Sequence, residues 1–120
     1  MRSRFAAFAL GDAEYLWRTL HSEHEDRAFA KDHVIHTLKS TFDSLKFMRL
    51  TIIDAKDTRV LFLAAVFEKG RDRSFVELST FAHDGTGWRY RDGNASPALD
   101  AKKATALTIE TFLRGRLAEP

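Results

Sequence analysis

The sequence predicts an α+β domain in which helices precede an antiparallel sheet. Two observations lead to this prediction. Apolar residues recur at helical spacing up to about residue 45, and beyond it they fall into four short strand-like runs separated by turn residues. Helices followed by a meander of strands are typical of α+β domains. The length of 120 residues fits one such domain, with enough buried surface to fold without a metal or a disulfide.

The first part of the chain is predicted to hold two short helices and then a longer helical stretch. Phe5 and Phe8 recur at helical spacing in the first helix, and Gly11 interrupts it. Asp12 is placed to cap the second helix. From about residue 25 to residue 44, apolar residues at spacings of three, four and seven predict one or two amphipathic helices.

The strands are predicted from residue type and from the turn residues between the runs. The four runs are residues 47–54, 59–67, 74–82 and 88–92. We interpret Asp92 with Gly93 as a turn after the last strand. Beyond Pro97, apolar spacing predicts a single carboxy-terminal helix over residues 98–117. Its apolar face consists of Leu99, Ala106, Ile109, Leu113 and Leu117.

The composition excludes several classes of function. The chain has no cysteine, which excludes disulfides, thiolate metal sites and a cysteine nucleophile, and which is compatible with a reducing cytoplasm. No apolar run approaches the roughly 18 residues that a membrane helix needs. The net charge is +2, and the basic residues are interleaved with acidic ones, which disfavours nucleic acid as a partner. We therefore expect a cytoplasmic protein with no cofactor and no membrane contact.

The order of three segments carries a resemblance to a known family. The segments are "RSRFAAFALGDAEYL" with the following "LH", then "LTI", then "FVELSTF" with "DGTGWRYRDG". Over residues 1–93 the chain resembles the central domain of the YchJ family of uncharacterised bacterial proteins. The resemblance implies a nuclear-transport-factor-2-like fold, a cone in which a curved, mainly antiparallel sheet wraps around amino-terminal helices. Ketosteroid isomerases, scytalone dehydratases and SnoaL-like cyclases share that fold, so the fold does not specify a reaction.

The chain departs from the family pattern in two respects. Family members usually carry small cysteine-rich SEC-C zinc motifs, and this chain has none, so zinc binding is not transferred to it. The strands also carry apolar residues where the family tends to place polar or basic ones, at Leu61, Leu63, Ala65, Phe67, Val76 and Leu78. Both faces of the sheet are therefore expected to be covered.

The sequence does not decide what covers the apolar face of the sheet that points away from the amino-terminal helices. The cover could be the carboxy-terminal helix, the sheet of a partner in a homodimer, or both. We expect a homodimer, because one helix of about 30 Å by 10 Å is narrower than the apolar face.

Glu77 is the leading candidate for a functional residue. Alternation along its strand puts Phe75, Glu77, Ser79 and Phe81 on one face, and the family resemblance favours the face toward the inside of the cone. A carboxylate there could act as a general base or acid. Alternatively, Arg2 or Arg4 could pair with it and form a buried link between the first helix and the sheet, and we favour this structural role.

Other polar and aromatic side chains could share the site. We predict Glu77, His21 and Tyr15 as catalytic candidates, with Tyr15 or His21 stabilising developing charge. The predicted ligand-binding residues are Arg2, Arg4, Phe75, Ser79, Phe81, Trp88 and Tyr90. Packing is the alternative role for Trp88 and Tyr90, and capping of a helix end is the alternative for His21.

Two histidine pairs have a spacing that could serve a metal. His21 and His24, and likewise His33 and His36, are three residues apart, which puts two imidazoles on one side of a helix. Charged neighbours favour a solvated face instead, and we predict no metal site.

Three classes of function are compatible with these residues. The first is a module that binds a small, largely apolar ligand in the cone. The second is a cofactor-free isomerase, dehydratase or cyclase that uses proton transfer, and the third is a protein-interaction domain. We favour the ligand-binding module.

Overall fold

The computed structural model describes residues 1–98 and 101–118. The helices are α1 (Arg2–Leu10), α2 (Ala13–Arg18), a 3-10 helix (Glu25–Ala28), α3 (Lys31–Ser44), α4 (Ala101–Thr105) and α5 (Ile109–Ala118). The strands are β1 (Lys46–Lys56), β2 (Arg59–Glu68), β3 (Arg71–Asp72), β4 (Phe75–His83) and β5 (Trp88–Pro97). Helices precede a curved antiparallel sheet, so the predicted α+β class is confirmed. No helix in the described part of the chain is long and apolar enough to cross a membrane.

The break between α1 and α2 depends on two adjacent residues. Gly11 adopts a left-handed backbone conformation with a φ of 76°, which glycine reaches without the steric cost that a side chain would add. Asp12 then caps α2, since its Oδ1 accepts a hydrogen bond from the backbone N–H of Tyr15 at 3.0 Å. The two helices can therefore turn back on each other within a few residues.

The sheet has the order β1-β2-β4-β5, and the short β3 pairs with β2. All of these pairs are antiparallel. On the inner face, which meets the amino-terminal helices, Phe62, Ala64 and Val66 of β2 are buried and pack with Phe5 of α1 and Phe47 of β1. The inside of the cone lies between this face and the helices.

The outer face of the sheet is covered by the chain's own carboxy-terminal helices. Residues of β2 and β4 form a buried cluster with residues of α4 and α5, and its members are Leu61, Leu63, Val76, Leu78, Ala104, Ile109 and Phe112. The terminal helices α4 and α5 thus cover this face, which is one of the alternatives that the sequence allowed. Farther along β2, Phe67 is 37% exposed. The homodimer stays a prediction.

The prediction of one continuous terminal helix is wrong. The chain forms α4 and α5 with a break between them, because Thr108 and Thr111 hydrogen-bond to each other's backbone N–H at 2.8 and 3.1 Å and begin a new helix. Asp54 Oδ2 accepts a further hydrogen bond from the N–H of Ile109 at 2.9 Å. In the predicted apolar face, Ala106 is exposed and Ala104 is buried instead. Leu99 and the side chain of Leu117 lie outside the described residues.

The prediction of a turn at Asp92 and Gly93 is also wrong. β5 continues through both residues to Pro97, and Gly93 pairs with Ser79 of β4. The pairing of β4 with β5 is irregular between Thr80 and Phe81 of β4. The register of β5 has therefore already shifted before the chain reaches Asp92. Gly93 therefore lies opposite the residues that face into the cone.

Phe112 tests how much the terminal helices contribute to the fold. Its side chain is 6% exposed and belongs to the buried cluster on the outer face. We expect Phe112→Ala to lower the free energy of unfolding by about 3 kcal/mol, measured by urea denaturation, because it leaves a cavity in that cluster. Phe29→Ala is the matched control, since Phe29 is 57% exposed and should change stability by less than about 0.5 kcal/mol. Equal effects of the two substitutions would contradict this account of the outer face.

Candidate functional site

A cavity of about 350 Å³ lies inside the cone, between the amino-terminal helices and the inner face of the sheet. Its walls are mostly apolar, and they are formed by Met1, Phe5, Phe8, Leu16, Leu20, Val34, Leu38, Leu45, Phe47, Phe62, Ala64 and Phe75. Five polar side chains also line it, namely Arg4, His24, Asp26, Glu77 and Tyr90. An apolar cavity with a few polar groups is the usual form of a small-molecule site.

Glu77 is held by two hydrogen bonds on one of its oxygens. Its Oε2 accepts one from the Ser79 hydroxyl at 2.6 Å and one from the Tyr90 hydroxyl at 3.0 Å. Ser79 is completely buried and lies two residues along β4, on the same face of the strand. Glu77 therefore has a fixed orientation on the cavity side of the sheet, the side that the family resemblance favoured.

Arg4 reaches Glu77 only through Tyr90. Its guanidinium carbon lies 4.5 Å from the centre of the Tyr90 ring, and its Nη1 donates hydrogen bonds to the carbonyl of Leu16 and the hydroxyl of Thr19. Within the described residues, no Arg4 nitrogen lies within 4.0 Å of a Glu77 oxygen. The direct ion pair considered from sequence is thus absent, and a tyrosine joins the two groups.

Arg4 and Arg2 differ sharply in environment. Arg4 is only 7% exposed, and this burial lowers the pKa of its guanidinium, while Tyr90 and Glu77 act in the opposite direction. Arg2 is exposed. Of the two arginines that sequence reasoning treated alike, only Arg4 lines the cavity.

Tyr90 is fixed by backbone contacts with the end of α2. Its carbonyl accepts a hydrogen bond from the N–H of His21, and its N–H donates one to the carbonyl of Thr19, both at 2.7 Å. Burial and the neighbouring Glu77 carboxylate raise the pKa of the Tyr90 hydroxyl well above its ordinary value. Tyr90 is therefore a neutral hydrogen-bond donor in the folded protein.

A second cavity of about 350 Å³ shares Arg4 and Tyr90 with the first. Tyr15, Phe81 and Trp88 line this second cavity and not the first. The Tyr15 hydroxyl lies 2.7 Å from the Ser3 hydroxyl, to which it donates a hydrogen bond. The predicted site residues that line a cavity are therefore divided between these two, and Arg2, Ser79 and His21 line neither of them.

His21 lines neither of these two cavities. Its side chain is 7% exposed, and its Nδ1 accepts a hydrogen bond from the backbone N–H of Glu23 at 3.1 Å. This contact orders the segment after α2. The structure thus does not bring Glu77, Tyr15 and His21 together in one cavity, which removes the geometric basis for Tyr15 or His21 as partners of Glu77.

His24 is a cavity residue that sequence reasoning missed. We interpreted it as part of a solvated face, but its side chain is 12% exposed and its ring centre lies 5.4 Å from that of Tyr90. The spacing to His21 carries no signal of this contact, because it depends on how β5 pairs with the end of α2. Among the described residues, no group of three or more histidine, aspartate or glutamate side chains is arranged to hold a metal ion.

Gly93 tests the packing around Glu77. A Cβ atom at this position would lie 2.6 Å from Glu77 Oε2 and would overlap the Tyr90 hydroxyl. We expect Gly93→Ala to lower the free energy of unfolding by about 1–3 kcal/mol in urea denaturation, because both side chains must move.

Gly115→Ala is the control for the Gly93 substitution. Nothing lies within 4 Å of a Cβ at Gly115, and alanine is the better helix former, so this change should be neutral or slightly stabilising. A Gly93→Ala protein that is as stable as wild type would show that the Glu77 cluster tolerates displacement.

The raised pKa of Tyr90 predicts a loss of stability in alkali. A group whose pKa is higher in the folded state stabilises the protein fully below its unfolded pKa of about 10, and this contribution falls as the pH rises further. We expect the free energy of unfolding to decrease by up to about 1.4 kcal/mol per pH unit above roughly pH 10, in addition to the decrease that a Tyr90→Phe protein shows. Urea denaturation between about pH 8 and pH 11 measures both.

Tyr15→Phe is the control for this pH dependence. It removes a hydroxyl whose one hydrogen bond to the described residues goes to Ser3, and it should leave the wild-type profile in place. If the free energy of unfolding falls equally with pH in wild type and in Tyr90→Phe, Tyr90 does not have a raised pKa in the folded state.

Comparison with known proteins supports the same fold. Residues 1–93 match the family model described as the middle NTF2-like domain of YchJ. A UPF0225 protein of Enterobacter sp. (strain 638) is 33% identical over 99 residues, an alignment that covers 78% of this chain and 62% of that relative. No solved structure matches the chain at a significant level. The chain therefore belongs to the YchJ family and contains its middle NTF2-like domain.

Proposed function

We propose that the cone binds a small, largely apolar molecule with one polar end. The observation that carries this proposal is the combination of apolar walls with Arg4, Glu77 and Tyr90 in one cavity. A volume of about 350 Å³ falls within the range of roughly 300–1,000 Å³ that small-molecule sites occupy. The walls would supply affinity, and the polar groups would orient the ligand.

The energetic cost of the polar groups supports a binding role. Arg4 is 93% buried, and its Nε has no hydrogen-bond partner in the described part of the chain. A buried donor without a partner costs about 1–3 kcal/mol. A ligand that accepts a hydrogen bond from Arg4 Nη2, which donates none within the described residues, would offset part of that cost, so ligand binding gives this arrangement a physical reason.

An enzyme that uses proton transfer is the alternative function, and the geometry reduces the number of residues that could act in it. Glu77 lines the cavity, whereas Tyr15 lines the second cavity and His21 lines neither. Such an enzyme would rely on Glu77 as base or acid, with Tyr90 as a neutral donor beside it. The interaction-domain alternative requires a cone filled by side chains, and the cavity argues against it.

Filling the cavity tests the proposal. Ala64 is 1% exposed, belongs to the inner face of β2 and lines the cavity. We expect Ala64→Leu to abolish binding of lipophilic carbonyl compounds, measured as a thermal shift. In wild type, a ligand at 100 times its dissociation constant should add about 2.7 kcal/mol to the free energy of unfolding.

Ala65→Leu is the matched control, because the next residue of β2 points to the opposite face of the sheet. This protein should respond to ligand as wild type does. If no lipophilic compound shifts the melting of wild type, the ligand-binding proposal fails and the interaction domain is favoured.

A further inference from the structure

The buried Arg4 and the partly buried Glu77, which both line the cavity, each have unused hydrogen-bonding capacity. Both hydrogen bonds that Glu77 accepts go to Oε2, so Oε1 accepts none from the described residues. The hydrogen bonds that Arg4 donates within the same part of the chain come from Nη1, so Nη2 donates none there, while Nε is unpaired but closed to solvent and to the cavity. A ligand in the cavity could therefore use Glu77 Oε1 as an acceptor and Arg4 Nη2 as a donor, beside the same tyrosine ring.

The charges of these groups restrict what can bind between them. Arg4 is positive and Glu77 is negative, and they lie too far apart for a direct ion pair. A ligand anion would meet the Glu77 carboxylate, and a ligand cation would meet the Arg4 guanidinium, in an environment where an unmatched charge is costly. A neutral group avoids both repulsions.

The other titratable groups of this cavity include the amino group of Met1. Burial and the neighbouring Arg4 and Arg2 lower its pKa, which favours its uncharged form. Asp26 has a side chain that is 45% exposed, so solvent screens its charge. His24 already uses its Nδ1 to accept a hydrogen bond from the backbone N–H of Asp26 at 3.0 Å. Tyr90 donates its hydroxyl hydrogen to Glu77. The Arg4 and Glu77 groups thus remain the ones that a ligand can satisfy.

We infer that the polar end of the ligand is a neutral carboxamide. Its carbonyl oxygen would accept a hydrogen bond from Arg4, and its N–H would donate one to Oε1 of Glu77. An amide carries a donor and an acceptor side by side without net charge, which matches the two free groups of the cavity. This inference rests on the proposed function, since it names the ligand class of the same cavity.

Three probes with the same apolar body test the inference by isothermal titration calorimetry. They are 3-phenylpropanamide, 3-phenylpropanoate and 3-phenylpropylammonium, which differ only in the polar end, and their phenyl ring suits walls built from phenylalanine. Molecules of about eleven heavy atoms should bind with dissociation constants on the order of 0.1–1 mM. For wild type we expect the amide to bind at least about tenfold more tightly than either charged probe.

Glu77→Gln should then change the preference in a defined direction. The substitution removes the negative charge and leaves Arg4 unbalanced, so the affinity of the carboxylate relative to the amide should rise at least about tenfold. Glu110→Gln makes the same change at a side chain that is 79% exposed and should leave the ratio unchanged. Arg4→Gln should raise the affinity of the ammonium probe relative to the amide in the same way. If the Arg4→Gln protein does not fold, the comparison of Glu77→Gln with Glu110→Gln decides alone.

The outcomes separate this inference from the proposed function. If none of the probes binds wild type at millimolar concentration, both fail. If the probes bind and Ala64→Leu abolishes their binding, but the end groups are not distinguished or the Glu77→Gln ratio does not move, the cavity binds ligands and the carboxamide assignment is wrong.

Discussion

The interior of the cone depends on the position of one side chain, Tyr90. Its backbone is hydrogen-bonded to Thr19 and His21 at the end of α2, its ring carries the Arg4 guanidinium, and its hydroxyl donates to Glu77. The first helix, the end of the second helix and the two last strands of the sheet therefore meet at this residue. Because Tyr90 is neutral, it can lie between the buried Arg4 cation and the partly buried Glu77 anion without adding a third charge, and it keeps them too far apart to pair.

The two faces of the sheet differ in how completely they are covered. On the outer face, Leu61 and Leu63 alternate along β2 and are sealed by α4 and α5, with Phe112 among the covering residues. On the inner face, Phe62 and Ala64 occupy the intervening positions, and the helices above them leave a cavity. A closed outer face contributes burial that offsets the cost of an incompletely filled interior. This division allows the domain to keep a cavity at a chain length of 120 residues.

The sequence predicted the features that depend on local periodicity. Alternation along β4 correctly put Phe75 and Glu77 on one face, and the order of helices and strands predicted the α+β class. The direction of that face, toward the inside of the cone, came from the family resemblance. The link between Arg4 and Glu77 could not be predicted, because Tyr90 reaches them through backbone pairing between segments that lie about 70 residues apart. The break before α5 was missed for a related reason. Apolar spacing does not register the hydrogen bonds by which Thr108 starts a new helix.

The Arg4 nitrogens without hydrogen-bond partners would have opposite effects on stability and on selectivity. An Arg4 nitrogen without a partner makes the protein without ligand less stable than a fully paired core would be. A molecule that fills the apolar space but offers no acceptor would in addition cover Arg4 Nη2, which donates no hydrogen bond within the described residues, and would leave it unsatisfied. Phenylalanine walls cannot make that distinction, because they contact apolar ligands of similar size about equally well. Selectivity in this cone would therefore come from Arg4 and Glu77, while the walls would supply affinity and limit the size of the ligand.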